Sequence, residues 1–334
     1  MNPTTVTEVA DSPKHNRQVC AAVRVNGELR SAPTDLPADA RFPMYSITKT
    51  LTAICVLRLV EIGSLRPGDP VRQWLPRVNV PATITLTHLL RHTSGLRDYG
   101  PLPEYHRAVR THPDRPWTRQ QFLDAVLPQG LLFAPGERFS YSNVGYMLLI
   151  DIVERVTGQT FARVLHDLVA TPLALQRTSV LEDIDDLVRC VPGFGPEVTP
   201  DGHIVDVRGR YHPGWCAPRL VASTAEDITR VFDGLIAGDV LTADTLTQML
   251  TLVPISNEPD ESIGGGMGVY CDHASRWGRN YHHGGGGPGY DLGATVFSAT
   301  PLGRVSIAVF VNTSVVHATT REATLLEQLL GDRG

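Results

Sequence analysis

Ser46-Ile47-Thr48-Lys49 sets a hydroxyl and an amine three residues apart at the head of an apolar run. Three residues is just under one helical turn, so the two side chains share a face. A serine hydroxyl is a poor nucleophile until something takes its proton. A lysine in a dry pocket has a lowered pKa and does that, or tunes a neighbour that does. The start of a helix also favours developing negative charge. Taken alone, S-x-x-K is a weak motif and more often marks an N-cap serine followed by a surface lysine. The lysine is informative here because the chain has only two, Lys14 and Lys49, and its other cations are almost all arginine.

Two further groups carry chemistry. Tyr141-Ser142-Asn143 follows Ala134-Pro135-Gly136-Glu137 and precedes an apolar helix. The structural reading is a helix cap with Tyr141 as its staple. The catalytic reading makes Tyr141 a general base and leaving-group acid, because a phenol beside a cation shifts toward phenolate. Asn143 would then donate its amide to a substrate carbonyl. His283-Gly284-Gly285 reads as the end of a strand. It is either a glycine-rich turn with a hydrogen-bonded histidine, or an edge along which a substrate lies, with the Gly286 N–H aimed into an oxyanion hole.

These groups need elements to hold them. Residues 18–25 and 28–31 flank Asn26-Gly27, a strong hairpin signal. From 46 to 63 the pattern is that of a buried helix, with Gly63 closing it. Shorter helical patterns cover 85–92, 118–127, 143–156 and 161–169, separated by long polar loops, and a short strand fits near 203–207. Two amphipathic helices follow at 223–236 and 242–250. Strand patterns then occupy 268–272, 280–283, 292–299 and 304–312, and a helix is expected at 320–330. Strands at both ends and helices between them imply an α+β fold. Both chain ends, 18–65 and 216–334, would form one antiparallel sheet flanked by helices. Residues 66–215 would form an all-helical domain, and 1–17 a flexible N-terminal segment.

The motif set resembles the serine β-lactamase and penicillin-binding-protein family, whose pattern is S-x-x-K, then Y-x-N, then K-T-G or H-x-G on a late strand. Leu89-Leu90-Arg91-His92-Thr93-Ser94-Gly95-Leu96, Thr171-Pro172-Leu173, Val221-Ala222-Ser223-Thr224-Ala225-Glu226-Asp227 and Pro288-Gly289-Tyr290 are similar to the same family. The resemblance runs from about residue 18 to 330 and implies the same two-part fold, with the site between the parts. It also implies roles. Ser46 would be the nucleophile, and Lys49 and Tyr141 would share base duty, which of them deprotonates the serine being open. Asn143, His283 and Gly285 would bind substrate. The Ser46 and Gly286 backbone N–H groups would form the oxyanion hole. His283 stands where many relatives carry lysine, and a neutral histidine holds a carboxylate less well. Poor β-lactam hydrolysis is therefore expected.

Composition narrows the classes. The 334 residues are 42% hydrophobic and carry a formal charge of −5, an ordinary globular profile without a basic run for nucleic acid or a lipidation signal for a membrane. Five cysteines without C-x-x-C spacing argue against a disulfide framework or zinc site, and with no apolar leader segment they fit a cytoplasmic protein. His212, His273, His282 and His283 lack metal-ligand spacing. Residues 284–289 formally satisfy G-x-G-x-x-G, but a strand pattern follows, which excludes dinucleotide binding. There is no G-x-S-x-G elbow. The expectation is an intracellular serine acyl-enzyme catalyst acting on a small-molecule ester or amide, without metal or cofactor. Its partners would be an acyl donor and either water or an amine or alcohol acceptor. D-peptidase or β-lactamase activity is an alternative. A non-catalytic sensor on the same scaffold would not need to keep Ser46, Lys49, Tyr141 and Asn143.

Overall fold

The computed structural model describes residues 17–315, apart from 31, 33 and 257–261, together with residue 318. The strands Val19–Val25 and Glu28–Arg30 form the expected hairpin. Asn26 and Gly27 both take positive φ (51° and 86°), the conformation a two-residue turn between twisted strands requires. Val19–Val25 then pairs antiparallel with Gly303–Val311, in register Val19↔Val311. Among the described residues the sheet has eight strands, and it joins the N-terminal hairpin to strands from the C-terminal region. Its remaining strands are Tyr290–Thr300, Asn280–Gly287, Tyr270–Asp272, Ile263–Gly265 and Val253–Pro254, in that spatial order. Both faces are apolar. Cys20, Ala22, Ala308 and Phe310 join the main core, while Val19, Ala21, Val23, Val305, Ile307 and Val309 form a second cluster. Helix Ala225–Ala237, capped by Thr224, packs on the main-core side. The helix expected at 320–330 lies outside the described residues.

The S-x-x-K segment forms a short 3-10 turn, Tyr45–Ile47, that runs into helix Thr48–Glu61. Most of that helix is buried, so it sits inside the molecule and does not present one face to solvent. Gly63, at φ 77°, ends it. Helix Asn143–Thr157 packs against it. Residues 66–215, expected to be all-helical, hold helices and loops together with short strands at Ser179–Leu181, Phe194–Gly195 and Val205–Asp206. Among the described residues no helix is long and apolar enough to cross a membrane.

Three local readings differ from the structure. The stretch after Asp98 holds a helix, Pro103–Thr111, where a loop was expected. A buried strand, Leu220–Ser223, precedes the helix expected from residue 223, and pairs with Phe42–Pro43 and Ser179–Leu181. The glycine run continues the strand to Gly287 instead of turning after His283. The turn comes at Pro288-Gly289, with Gly289 at φ 81°.

Candidate active site

Tyr45 precedes the S-x-x-K serine in a left-handed conformation, φ 42°, which is costly for an aromatic residue. Two contacts hold it there. Its hydroxyl donates to the Pro288 carbonyl at 2.7 Å, and its ring sits so close to Gly287 that a β-carbon there would collide with it. Gly285 serves the same approach, since a side chain at that position would meet the Met44 carbonyl. Gly285 thus packs the strand against the turn and does not line the cavity. Ser46 is the half-buried residue between buried Tyr45 and Ile47.

Lys49 lies one turn on, 3% exposed. Its Nζ is 3.2 Å from Ser46 Oγ and stands 4.9 Å from the centre of the Tyr141 ring. Burial pulls its pKa down to about 8, against the opposing pull of Asp98. Tyr141 O–H is 2.7 Å from Ser46 Oγ. Burial raises the Tyr141 pKa well beyond the hydrogen bond's lowering effect. The expected drift toward phenolate is therefore reversed: desolvation outweighs the hydrogen bond with Ser46. Near neutral pH the site holds a protonated phenol and a lysine close to its titration point. That arrangement can take a proton from Ser46 through Lys49 and return one through Tyr141.

Asn143 begins its helix, with Ser142 as the N-cap. Its backbone N–H and its side-chain Nδ2 both donate to Asp98, at 2.9 and 3.1 Å. The carboxylate, which accepts here, fixes which way the amide points. Nothing in the sequence around Asp98 marks it for this role. His92 lies in a family-like stretch, but its type and spacing do not show what it contacts. Its Nδ1 accepts from Ser142 N–H at 3.1 Å. Its ring lies 4.5 Å from the ring of Tyr141 and 4.9 Å from that of Tyr146. Burial holds its pKa far below the ordinary histidine value. His92 is therefore a neutral wedge that positions Tyr141-Ser142-Asn143.

His283 is 4% exposed. Its Nδ1 donates to the Gly284 carbonyl at 2.7 Å, and its pKa is pushed down to about 3, first by burial and then by Lys49. It offers no cation near neutral pH, so any contact it makes with substrate would be that of a neutral imidazole. Gly286 differs. The two-residue turn makes Gly287↔Tyr290 a hydrogen-bonded pair, so Gly286↔Asp291 is the next, non-bonded pair. The Gly286 N–H then points away from Tyr290–Thr300. Strand Tyr270–Asp272 pairs with residues 280–282, which leaves that edge open at Gly286.

Ser46, Lys49, Asn143 and Gly286 line one cavity of about 390 Å³. Tyr99, Tyr105, Tyr211 and Tyr290 also line it; the rings of Tyr99 and Tyr105 pack together and against Phe122. Among the described residues no cluster of three or more His, Cys, Asp or Glu could hold a metal ion.

The chain matches the family model described as Beta-lactamase over residues 10–331. It is 28% identical over 269 residues to a penicillin-binding protein of Bacillus subtilis, covering 76% of this chain and 57% of that protein. It is 35% identical over 158 residues to esterase EstB of Burkholderia gladioli, covering 44% of this chain and 40% of that one. The chain thus spans less than two thirds of either curated relative. Among solved structures, a D-stereospecific amidohydrolase from Streptomyces superposes with a TM-score of 0.80 at 27% identity, over 93% of this chain and 92% of that one. The D-amino acid amidase of Ochrobactrum anthropi SV3 shares the fold, with a TM-score of 0.78 at 21% identity over 95% of both chains.

Proposed function

The chain belongs to the Beta-lactamase family and its relatives support a serine hydrolase; from that premise we propose that it works through a covalent acyl-enzyme on Ser46. The supporting observation is the contact set at the hydroxyl: Tyr141 at 2.7 Å and Lys49 at 3.2 Å from the same oxygen. Ser46 Oγ attacks an ester or amide carbonyl as its proton passes to the neutral Lys49 amine. The oxyanion that forms is held by the Ser46 and Gly286 backbone N–H groups. Tyr141 delivers a proton to the departing alcohol or amine and takes one back from Lys49. The carbonyl–heteroatom bond breaks and the ester to Ser46 remains. Attack by water releases an acid. Attack by an amine or alcohol releases a transfer product, and the same residues serve both.

The transfer reading follows from the walls. Tyr99, Tyr105, Tyr211 and Tyr290 line part of the cavity, and where such surface holds water off, amine attack competes with hydrolysis. The test is a product-ratio titration with an activated aryl ester as donor, raising the concentration of a primary amine or alcohol and reading both products by mass spectrometry. A rising share of transfer product is expected. A ratio that stays flat across a broad acceptor panel would leave hydrolysis alone.

A further inference from the structure

The wall of the Ser46 cavity carries an acid that this mechanism does not use. Glu197 lines it, next to Ser314. Glu197 Oε2 and Ser314 Oγ are both buried, and neither has a hydrogen-bond partner among the described residues. They converge, because a side chain at Gly195 would collide with both. A buried carboxylate oxygen without a donor is costly, and one that persists calls for a donor. The cations on the same wall are committed or peripheral. Arg219 pairs with Glu154 at 3.4 Å and Glu182 at 3.7 Å. His106 and Arg110 are exposed on helix Pro103–Thr111. Lys49 faces Ser46 and feels Asp98. Among the described residues no cation lies within ion-pair distance of Glu197.

We propose that Glu197 and Ser314 form a subsite for a primary ammonium on the substrate, beside the nucleophile. The inference rests on the acyl-enzyme reading above and names its substrate class: esters or amides that carry an ammonium together with a bulky apolar group. A primary ammonium brings three donors, which suits a carboxylate oxygen and a hydroxyl oxygen in one place. Tyr45, Tyr99, Tyr105 and Tyr211 on the same wall provide the surface for the apolar group. Aromatic faces also favour a cation held against them.

The experiment is equilibrium binding of benzylammonium against benzyl alcohol by calorimetry, which needs no turnover. The ammonium should bind on the order of 10- to 100-fold more tightly to the wild-type chain, and Glu197→Gln should reduce that preference to about threefold or less. Ser314→Ala should lower it partially and serves if Glu197→Gln gives no cooperative melt. Equal affinity in the wild type, or a preference that survives Glu197→Gln, would overturn the proposal. Labelling of Ser46 by a neutral fluorophosphonate is read in parallel. A labelled serine without ammonium preference removes the subsite alone. An ammonium preference with Ser46 unlabelled removes the catalytic reading alone.

Discussion

Lys49 and Tyr141 touch the same oxygen yet burial drives them in opposite directions. Taking an amine out of water favours its neutral form, and taking a phenol out of water does the same. For lysine that means the base appears near pH 8; for tyrosine it means the acid persists. Under the proposed mechanism kcat/KM on a short-chain nitrophenyl ester should rise with pH through about 8 as Lys49 loses its proton. A rising limb near the ordinary histidine value instead would assign the base elsewhere. Lys49→Arg keeps the charge but cannot release it, and its turnover should fall by about two to four orders of magnitude. His283 yields a different expectation from the one its motif suggests. It is buried, neutral and near Lys49, so His283→Lys would bury a second cation there. The variant should lose about 3–5 kcal/mol in a denaturant melt. A stable variant with improved affinity for carboxylate-bearing esters would contradict this placement.

The elements explain why some of this was legible in the sequence and some was not. S-x-x-K could be read because its chemistry is local: one helical turn brings Ser46 and Lys49 together. The Asn26-Gly27 hairpin and the apolar helix behind Ser46 are local in the same sense. His92 and Asp98 act on partners 50 and 45 positions away; the stretch around His92 resembles the family's, but no local spacing names those partners. A glycine run suits either a turn or an open strand edge, and its immediate sequence does not choose between them. Here the glycines continue a strand because Met44 and Tyr45, far away in sequence, press against it. Helix Pro103–Thr111 had usable signals, a proline at its start and Glu104 in the first turn, set in a mostly polar stretch. The strand–turn contact also makes a prediction. Gly287→Ala puts a methyl group into the Tyr45 ring, so Tyr45 must leave the geometry that presents Ser46. The expected result is about 1–3 kcal/mol of lost stability together with slower Ser46 labelling. Labelling at the wild-type rate would mean that the strained turn does not position the serine.

At the scale of the molecule, the site depends on parts that are distant in the chain. The S-x-x-K turn comes from the N-terminal region, Tyr141 and Asn143 from the helical middle, and Gly286 from the last third. They meet because the hairpin at Val19–Arg30 completes a sheet whose other strands come from the C-terminal region. The central claim is that this assembly makes Ser46 a covalent nucleophile. The direct measurement is intact-protein mass after incubation with an activated ester, followed by peptide mapping, for the wild type and Ser46→Ala. A single acyl adduct on Ser46, absent from Ser46→Ala, is the predicted result. An adduct on Ser142 or Ser94 with Ser46 unmodified, or turnover that survives in Ser46→Ala, would contradict it.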